Sequence, residues 1–304
     1  MTEKQKKKQA AAQAQRISKV KHDRKHILTP KSGFYLQEAY RALRTNVNFA
    51  LADTEGSKVV MVTSSLQSEG KSLNALNLSI ALGQADNKVL LVDCDLRRPR
   101  MARLLNLSAP AGLSNILMDY SLLDVAIVNS EEYGIDLILA GDIPPNPAEL
   151  LSSGRMQKLL EQMRKQYDYV ILDSPPVDLV VDAVAMSSMC DGVLFVVRAN
   201  QSERGAVIHG MDQLEYAGAN VIGFVFNGVT SETTRGYGKY RYRKYARNGR
   251  YSKYNRYGYG YGYGYGGYGY GYGYGGYGHD GYGYGYRSAP AEKPREPKEQ
   301  DKQG

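Results

Sequence analysis

The 304-residue sequence has no tryptophan and only two cysteines, Cys94 and Cys190. Both cysteines lie in or beside apolar segments and lack the spacing of metal ligands, so we expect buried thiols in a reducing compartment. No apolar run approaches the ~18 residues of a membrane-spanning helix. The charged N-terminus also lacks the apolar segment of a signal peptide. These absences predict a cytoplasmic protein.

The segment of residues 231–304 contains no valine, leucine, isoleucine, methionine or phenylalanine from which a core could form. It holds 19 of the 26 tyrosines, between Tyr237 and Tyr286, and glycine occupies nearly every second position from Tyr257 onward. Glycine maximises the backbone entropy that folding must overcome. We therefore predict that residues 231–304 are a disordered Tyr/Gly-rich tail with a charged end.

Acidic residues are scarce at the other end of the chain. Residues 1–29 hold nine Lys and Arg residues against Glu3 and Asp23. We interpret them as a basic flexible arm, chiefly a solvated lead-in, with contact to anionic lipid or nucleic acid as the alternative. The net charge of +8 is carried largely by the two ends, so it concerns the partners of the ends and not the fold. Because the composition of the last quarter is so biased, only the remaining residues, 30–230, are predicted to build a core, as one folded domain.

A phosphate-binding loop is predicted at residues 65–72, between an apolar segment at 58–63 and a helical pattern that begins at Leu73. The spacing fits G-x-x-x-x-G-K-[ST], with Ser65 in place of the first glycine. Backbone N–H groups at the start of a helix bind phosphates, and the loop lysine reaches the β and γ phosphates. The predicted nucleotide-binding residues of this segment are Gln67, Ser68, Glu69, Gly70, Lys71, Ser72 and Leu73.

Carboxylates follow two further strand-like segments. Asp93 and Asp95 come after residues 88–92, and Asp173 comes after residues 167–172. Because the carboxyl ends of parallel strands meet at one edge of a sheet, these side chains should lie beside the phosphate loop. Carboxylate and hydroxyl oxygens suit Mg²⁺. We predict Ser72, Asp93 and Asp173 as its ligands, directly or through water.

Strand-like and helical segments alternate through most of the chain. The alternation predicts an α/β fold with a mostly parallel sheet, helices on both of its faces and a P-loop NTPase-like architecture. The predicted strands are residues 58–63, 88–92, 135–140, 167–172, 192–197 and 221–226. Asn227 follows the last of them, where it would contact adenine or serve as a structural residue of the turn; the sequence leaves both open.

Glu38, Arg41 and Arg44 share one face of the helix predicted from Tyr35 to Leu51. From the residues alone we interpret them as an intrahelical ion pair, which stabilises a helix by a few tenths of a kcal/mol (~0.3).

Taken together, these motifs resemble the bacterial tyrosine kinases. The resemblance rests on the aspartate segment 92–99, the Pro-Pro-Asn-Pro-Ala-Glu-Leu loop at 144–150, the segment 172–177, the Glu-Arg-Arg helix and the terminal tyrosine cluster. It covers residues 28–229, and the tail resembles the family in having a cluster of tyrosines. It implies a kinase that transfers phosphate from ATP, with Mg²⁺, to protein tyrosine. Lys71, Asp93 and Asp95 would be its catalytic residues, and the sequence does not say which aspartate acts as the base.

The resemblance also implies partners and a place in the cell. Members form ring-shaped homo-oligomers, in which Glu38, Arg41 and Arg44 would contact the next subunit. They phosphorylate their own tyrosine clusters in trans and regulate capsular or exopolysaccharide synthesis and export. A membrane-embedded co-polymerase would activate the chain at the inner face of the membrane, a tyrosine phosphatase would reverse its action, and proteins of the polysaccharide pathway would be substrates. The candidate phosphorylated residues are Tyr257, Tyr259, Tyr261, Tyr263, Tyr265, Tyr268, Tyr270, Tyr272, Tyr274, Tyr277, Tyr282, Tyr284 and Tyr286.

Two other functions compete with this prediction. A partition- or division-site-type P-loop ATPase shares the fold and the aspartates, but such proteins resemble one another in an additional loop lysine, where this chain has Leu66. A tail-mediated RNA-binding or self-associating protein would use the eight basic residues interleaved with tyrosine at 239–256. That reading leaves the loop and its acids unexplained, so we do not expect nucleic acid to be the principal partner.

Overall fold

The computed structural model of the protein describes residues 22–178 and 180–229. In this part of the chain the strands form a seven-stranded sheet in the order β3-β4-β2-β5-β1-β6-β7. Neighbouring strands are parallel, except that β3 runs antiparallel to β4. The strands are β1 (Lys58–Ser64), β2 (Val89–Asp93), β3 (Ile127–Ser130), β4 (Ile135–Ile138), β5 (Tyr169–Asp173), β6 (Gly192–Arg198) and β7 (Val221–Asn227).

Helices connect the strands and cover the sheet. They are α1 (Phe34–Ala50), α2 (Lys71–Gly83), α3 (Met101–Leu105), α4 (Leu113–Met118), α5 (Leu123–Ala126), α6 (Pro147–Leu151), α7 (Gly154–Met163), α8 (Asp182–Ser187) and α9 (Arg204–Tyr216), with a 3₁₀ turn at Tyr120–Leu122. Pro147 is the first residue of α6. Proline suits this position because an N–H group at the first residue of a helix has no partner within the helix, so its absence costs no hydrogen bond.

The sheet has a separate hydrophobic core on each face. Val59 and Met61 of β1 pack with residues of α4 through α9, whereas Val60 and Val62 pack with α1, α2 and α3. The other central strands alternate in the same way, because successive side chains of a strand point to opposite faces. Since both faces are buried, these strands are apolar throughout. The predicted α/β architecture is confirmed.

The antiparallel edge strand β3 was not among the six predicted strands. Two of its four residues are half-buried, one is exposed and one is buried, and it pairs with β4 from Ile127 opposite Ile138 to Ser130 opposite Ile135. A strand this short at a sheet edge buries too little apolar surface to leave a clear pattern in the sequence. The six predicted strands all form, with ends that differ by at most two residues.

The last residues of the predicted N-terminal arm belong to the folded domain. Ile27 and Leu28 are buried. The Asn77 side chain of α2 bonds the Leu28 N–H at 2.8 Å and the His26 carbonyl at 2.9 Å. The domain therefore begins earlier than residue 30, because two adjacent apolar side chains and an amide on α2 attach the chain to the core. The described ranges contain no helix with both the length and the hydropathy needed to cross a bilayer.

Candidate functional site

The predicted phosphate loop connects β1 to α2 at the carboxyl end of the sheet. Lys71 is the first residue of α2, and Gly70 before it has a φ of 101°, in the left-handed region. A Cβ at Gly70 would lie 2.0 Å from the Asn227 side-chain nitrogen. Glycine is therefore required at this position by both the backbone conformation and the available space.

A buried carboxylate inside the loop bonds Ser65, which stands where the motif usually has its first glycine. Glu69 is fully buried and accepts hydrogen bonds from the Ser65 hydroxyl at 3.0 Å, from the Leu66 N–H at 2.7 Å and from the Ser202 hydroxyl. The Ser65 hydroxyl thus makes a hydrogen bond that a glycine at this position could not make. The Glu69 side chain is engaged within the protein, so its predicted contact with a nucleotide would be through the backbone.

The sheet brings the predicted catalytic residues together. Asp93 and Asp173 are register partners at the ends of β2 and β5. Lys71 Nζ lies 3.0 Å from Asp95 Oδ2 and 3.9 Å from Asp173 Oδ1, and all these side chains are less than a tenth exposed. One ammonium group and three carboxylates therefore share a buried site at the start of α2, where the helix dipole favours negative charge.

The charges of this site are strongly coupled. Burial, reinforced by Asp173, raises the pKa of Asp93 from 3.8 to about 7. Burial also raises the pKa of Asp173, although Lys71 opposes that shift. Burial lowers the pKa of Lys71, but Asp173 and Asp95 together raise it above its ordinary value. An excess of buried negative charge is the arrangement that a divalent cation neutralises.

The oxygen atoms of Asp173 are suited to bind Mg²⁺. Neither carboxylate oxygen of Asp173 has a hydrogen-bond partner among the described residues, although both are buried. By contrast, Asp93 accepts bonds from the N–H groups of Asp95 and Met101 at 3.2 and 3.1 Å. The described residues show no group of three or more His, Cys, Asp or Glu side chains arranged to hold a metal. A Mg²⁺ ion here would therefore depend on the Ser72 hydroxyl, carboxylate and phosphate oxygens and water.

Two arginines of the aspartate segment have contacts that the sequence did not indicate. Arg97 donates to both oxygens of the fully buried Asp182 carboxylate at the start of α8. Arg98 Nη1 donates to Gln67 Oε1 at 2.8 Å. Their partners are 85 and 31 residues away, so no local pattern could have found them.

The three predicted subunit-contact residues lie on α1. Arg41 donates to Glu38 at 2.6 Å, and both side chains are more than a third exposed. Arg44 instead donates to the Ala81 carbonyl of α2 at 2.7 Å. The intrahelical pair predicted from the residues is thus present for Glu38 and Arg41, whereas Arg44 attaches α1 to α2. The candidate phosphorylated tyrosines lie outside the described residues.

Comparisons with known proteins decide the family. A family model described as an AAA domain matches residues 57–217. The tyrosine-protein kinase YwqD of Bacillus subtilis is 37% identical over 203 residues, which cover 67% of this chain and 85% of the relative. The chain is a bacterial tyrosine-protein kinase.

Other members of the family differ in length. The tyrosine-protein kinase etk of Escherichia coli K12 is 38% identical over 200 residues, but the match covers only 27% of that protein against 66% of this chain. The solved kinase domain of Escherichia coli ETK is 34% identical, with a TM-score of 0.62, and the match covers 76% of this chain and 80% of that domain. The kinase described here therefore matches one part of the longer relatives, and its P-loop NTPase-like fold is a nucleotide-binding one.

Proposed function

We propose that this kinase transfers the γ-phosphoryl group of Mg²⁺-ATP to tyrosines of its own C-terminal cluster, in trans within a ring-shaped oligomer. The observation that carries the proposal is the buried group of Lys71, Asp93, Asp95 and Asp173 at the end of a phosphate loop. Phosphoryl transfer requires mainly positioning and neutralised charge. These residues supply both, and the chain carries 19 tyrosines between Tyr237 and Tyr286.

The residues have separate roles in the proposed reaction. Backbone N–H groups of the loop and Lys71 bind the β and γ phosphates. Ser72 and Asp173 hold the Mg²⁺ ion, which neutralises phosphate charge when bound. Asp93 and Asp95 would bond the water ligands of a bound Mg²⁺ ion, and one of them accepts the proton of the tyrosine hydroxyl, whose pKa near ~10 makes it a poor nucleophile on its own at neutral pH. Asn227 is the proposed adenine contact.

The tail supplies substrate through a high effective concentration. A Gly/Tyr-rich segment of 50 residues, from Tyr237 to Tyr286, reaches a neighbouring active site if it behaves as a flexible linker. Glu38, Arg41 and Arg44 form the proposed contact with the next subunit. By resemblance, the kinase regulates capsular or exopolysaccharide synthesis and export at the inner face of the membrane. A membrane-embedded co-polymerase activates it there, a tyrosine phosphatase reverses it, and proteins of the pathway are further substrates.

Phosphotyrosine mapping tests the proposal. The full chain is incubated with Mg²⁺-ATP, alone and with the cytoplasmic segment of a candidate co-polymerase, beside Lys71→Met and Asp95→Asn variants. We expect phosphate on the tail tyrosines of the parent only. A mixture of the Lys71→Met chain with an active chain whose 13 candidate tyrosines are phenylalanine tests transfer in trans. ATP hydrolysis without phosphotyrosine, with the activator present, would favour the partition-type ATPase instead.

A further inference from the structure

Five consecutive carbonyl oxygens of the phosphate loop, from Leu66 to Gly70, each accept a hydrogen bond from a side chain. The donors, which we call the five loop donors, are Ser64 Oγ to Leu66 at 2.8 Å, Gln201 Nε2 to Gln67 at 3.2 Å, Arg198 Nη1 to Ser68 at 3.0 Å, Asn227 Nδ2 to Glu69 at 2.8 Å and Asn74 Nδ2 to Gly70 at 2.9 Å.

This pattern fixes the direction of the loop N–H groups. In a trans peptide unit the carbonyl and the following N–H point to opposite sides of the chain. When the carbonyls of residues 66–70 are bonded to side chains, the N–H groups of residues 67–71 are directed the other way. Donors held in place before a ligand arrives need no reorganisation when phosphate binds.

Two of the five loop donors come from distant strands. Arg198 ends β6 and Asn227 ends β7, and they lie 130 and 158 residues from the carbonyls that they bond. The Gly228 N–H donates to Asn227 Oδ1 at 2.8 Å, which turns the Asn227 NH₂ group toward the loop. The absence of a Cβ at Gly70 leaves room for that NH₂ group.

We infer that Arg198 and Asn227 are positioning residues for triphosphate binding, which act through the Ser68 and Glu69 carbonyls. Without these bonds, the Ser68 or Glu69 carbonyl oxygen could rotate toward the phosphates and repel them. Arg198 prevents this rotation at Ser68, and Asn227 prevents it at Glu69. Arg198 also holds Ser68, whose φ of 71° is unfavourable for a residue with a side chain. The inference rests on the loop binding a triphosphate; it depends neither on tyrosine transfer nor on a ring.

For Asn227, this role differs from the adenine contact in a way that can be measured. A positioning residue affects every ligand that places phosphates in the loop, including inorganic tripolyphosphate. A residue that only contacts the base affects ATP and leaves tripolyphosphate binding unchanged. Comparing the two ligands therefore separates the two roles.

The test uses the full chain with Asn227→Leu and Arg198→Met, which keep side-chain size but lack the donors. Arg198→Lys retains a cationic donor, and Asn227→Ala provides a second variant that lacks the amide. Matched controls are Asn220→Leu and Arg164→Met. These controls also remove hydrogen bonds from side chains to carbonyls, at Asp191 (2.7 Å) for Asn220 and at Ser57 (2.6 Å) for Arg164, near the opposite end of the sheet. Arg164→Met in addition removes an ion pair with Asp191 at 2.8 Å, so it is the more severe of the two controls. Dissociation constants for Mg²⁺-ATP and Mg²⁺-tripolyphosphate are measured by competition against a fluorescent ATP analogue.

We expect Asn227→Leu and Arg198→Met to weaken both ligands by about tenfold, which corresponds to one hydrogen bond. Arg198→Lys should recover part of that loss, and both control variants should bind like the parent. Constants within about twofold of the parent for Asn227→Leu and Arg198→Met, well inside the effect of one bond, would overturn the inference. Weakening of ATP alone would overturn it for Asn227. A failure of autophosphorylation would leave these constants unchanged, so the two proposals can fail separately.

Discussion

Arg97 and Asp182 form a two-point ion pair that joins the aspartate segment to α8. Arg97 Nε lies 2.7 Å from Asp182 Oδ2, and Nη2 lies 2.9 Å from Oδ1. The Asp182 side chain is completely buried, whereas that of Arg97 is 41% exposed. The hydrogen bond to Asp182 is the largest cause of the raised pKa of Arg97. The pair therefore fixes the segment that follows Asp93 and Asp95 against the start of α8.

Removal of Arg97 should destabilise the domain. Arg97→Ala leaves a buried carboxylate without its cation, which costs about 2 kcal/mol in unfolding free energy once the exposure of Arg97 is allowed for. Urea unfolding measures the loss. Arg103→Ala, an exposed change nearby, should cost less than about 0.5 kcal/mol. Additive effects in an Arg97→Ala/Asp182→Asn cycle would contradict a direct interaction.

Ser68→Gly should stabilise the kinase. Ser68 has a φ of 71°, and a side chain in the left-handed region costs about 1 kcal/mol, which glycine avoids. Because glycine also gains entropy in the unfolded chain, the net increase in unfolding free energy should be about 0.5 kcal/mol. Chemical unfolding tests this, with Ser188→Gly as the control at an exposed residue whose backbone is right-handed. A loss of stability would show that the Ser68 side chain has a favourable role.

Gly70→Ala should weaken nucleotide binding. The added methyl group would collide with the Asn227 amide, 2.0 Å away, at a φ of 101°. The loop must then shift, so affinity for Mg²⁺-ATP should fall by more than about tenfold, the equivalent of ~1.4 kcal/mol. Gly154→Ala is the matched control, because a Cβ there meets nothing within 4 Å. Its affinity should equal that of the parent, and an equal loss in both variants would refute the steric argument.

Asp93 should make stability depend on pH when Mg²⁺ and nucleotide are absent. Its pKa rises from 3.8 to about 7 on folding, so the folded state holds a proton that the unfolded state releases. The stabilisation that comes from the extra proton on Asp93 is fully present below the pKa of this group in the unfolded chain. It is lost as the pH rises through the pKa of the group in the folded protein. Relative to Asp93→Asn, the parent should lose on the order of 4 kcal/mol between pH 4 and pH 8. A difference in unfolding free energy that stays constant with pH would contradict the shift.

Phosphorylation should loosen the proposed ring. Each phosphate adds about −1.5 to −2 charges, so several would reverse the basic character of the tail. Analytical ultracentrifugation of phosphorylated and dephosphorylated chains should show a smaller species after phosphorylation. Arg41→Ala, which removes the exposed partner of Glu38, should weaken the oligomer in both forms. Identical sedimentation of the phosphorylated and dephosphorylated parent would refute the switch.

Local patterns predicted much of the fold and the site. The β1 and β5 segments are continuously apolar because both faces of the sheet are covered. Their positions in the sequence therefore predict that the loop and Asp173 lie at one edge of the sheet. The edge strand β3 was missed because its four residues bury little surface.

The sequence by itself determined the loop, the strand-end aspartates and the alternation of strand and helix, because each depends on residues that are neighbours along the chain. Only the tertiary structure decided the strand order, the pairing of Arg97 with Asp182, and the bonds from Arg198 and Asn227 to the loop. These contacts join residues 85 to 158 positions apart. They form because the sheet brings the ends of different strands together, and no local periodicity records which side chains then meet.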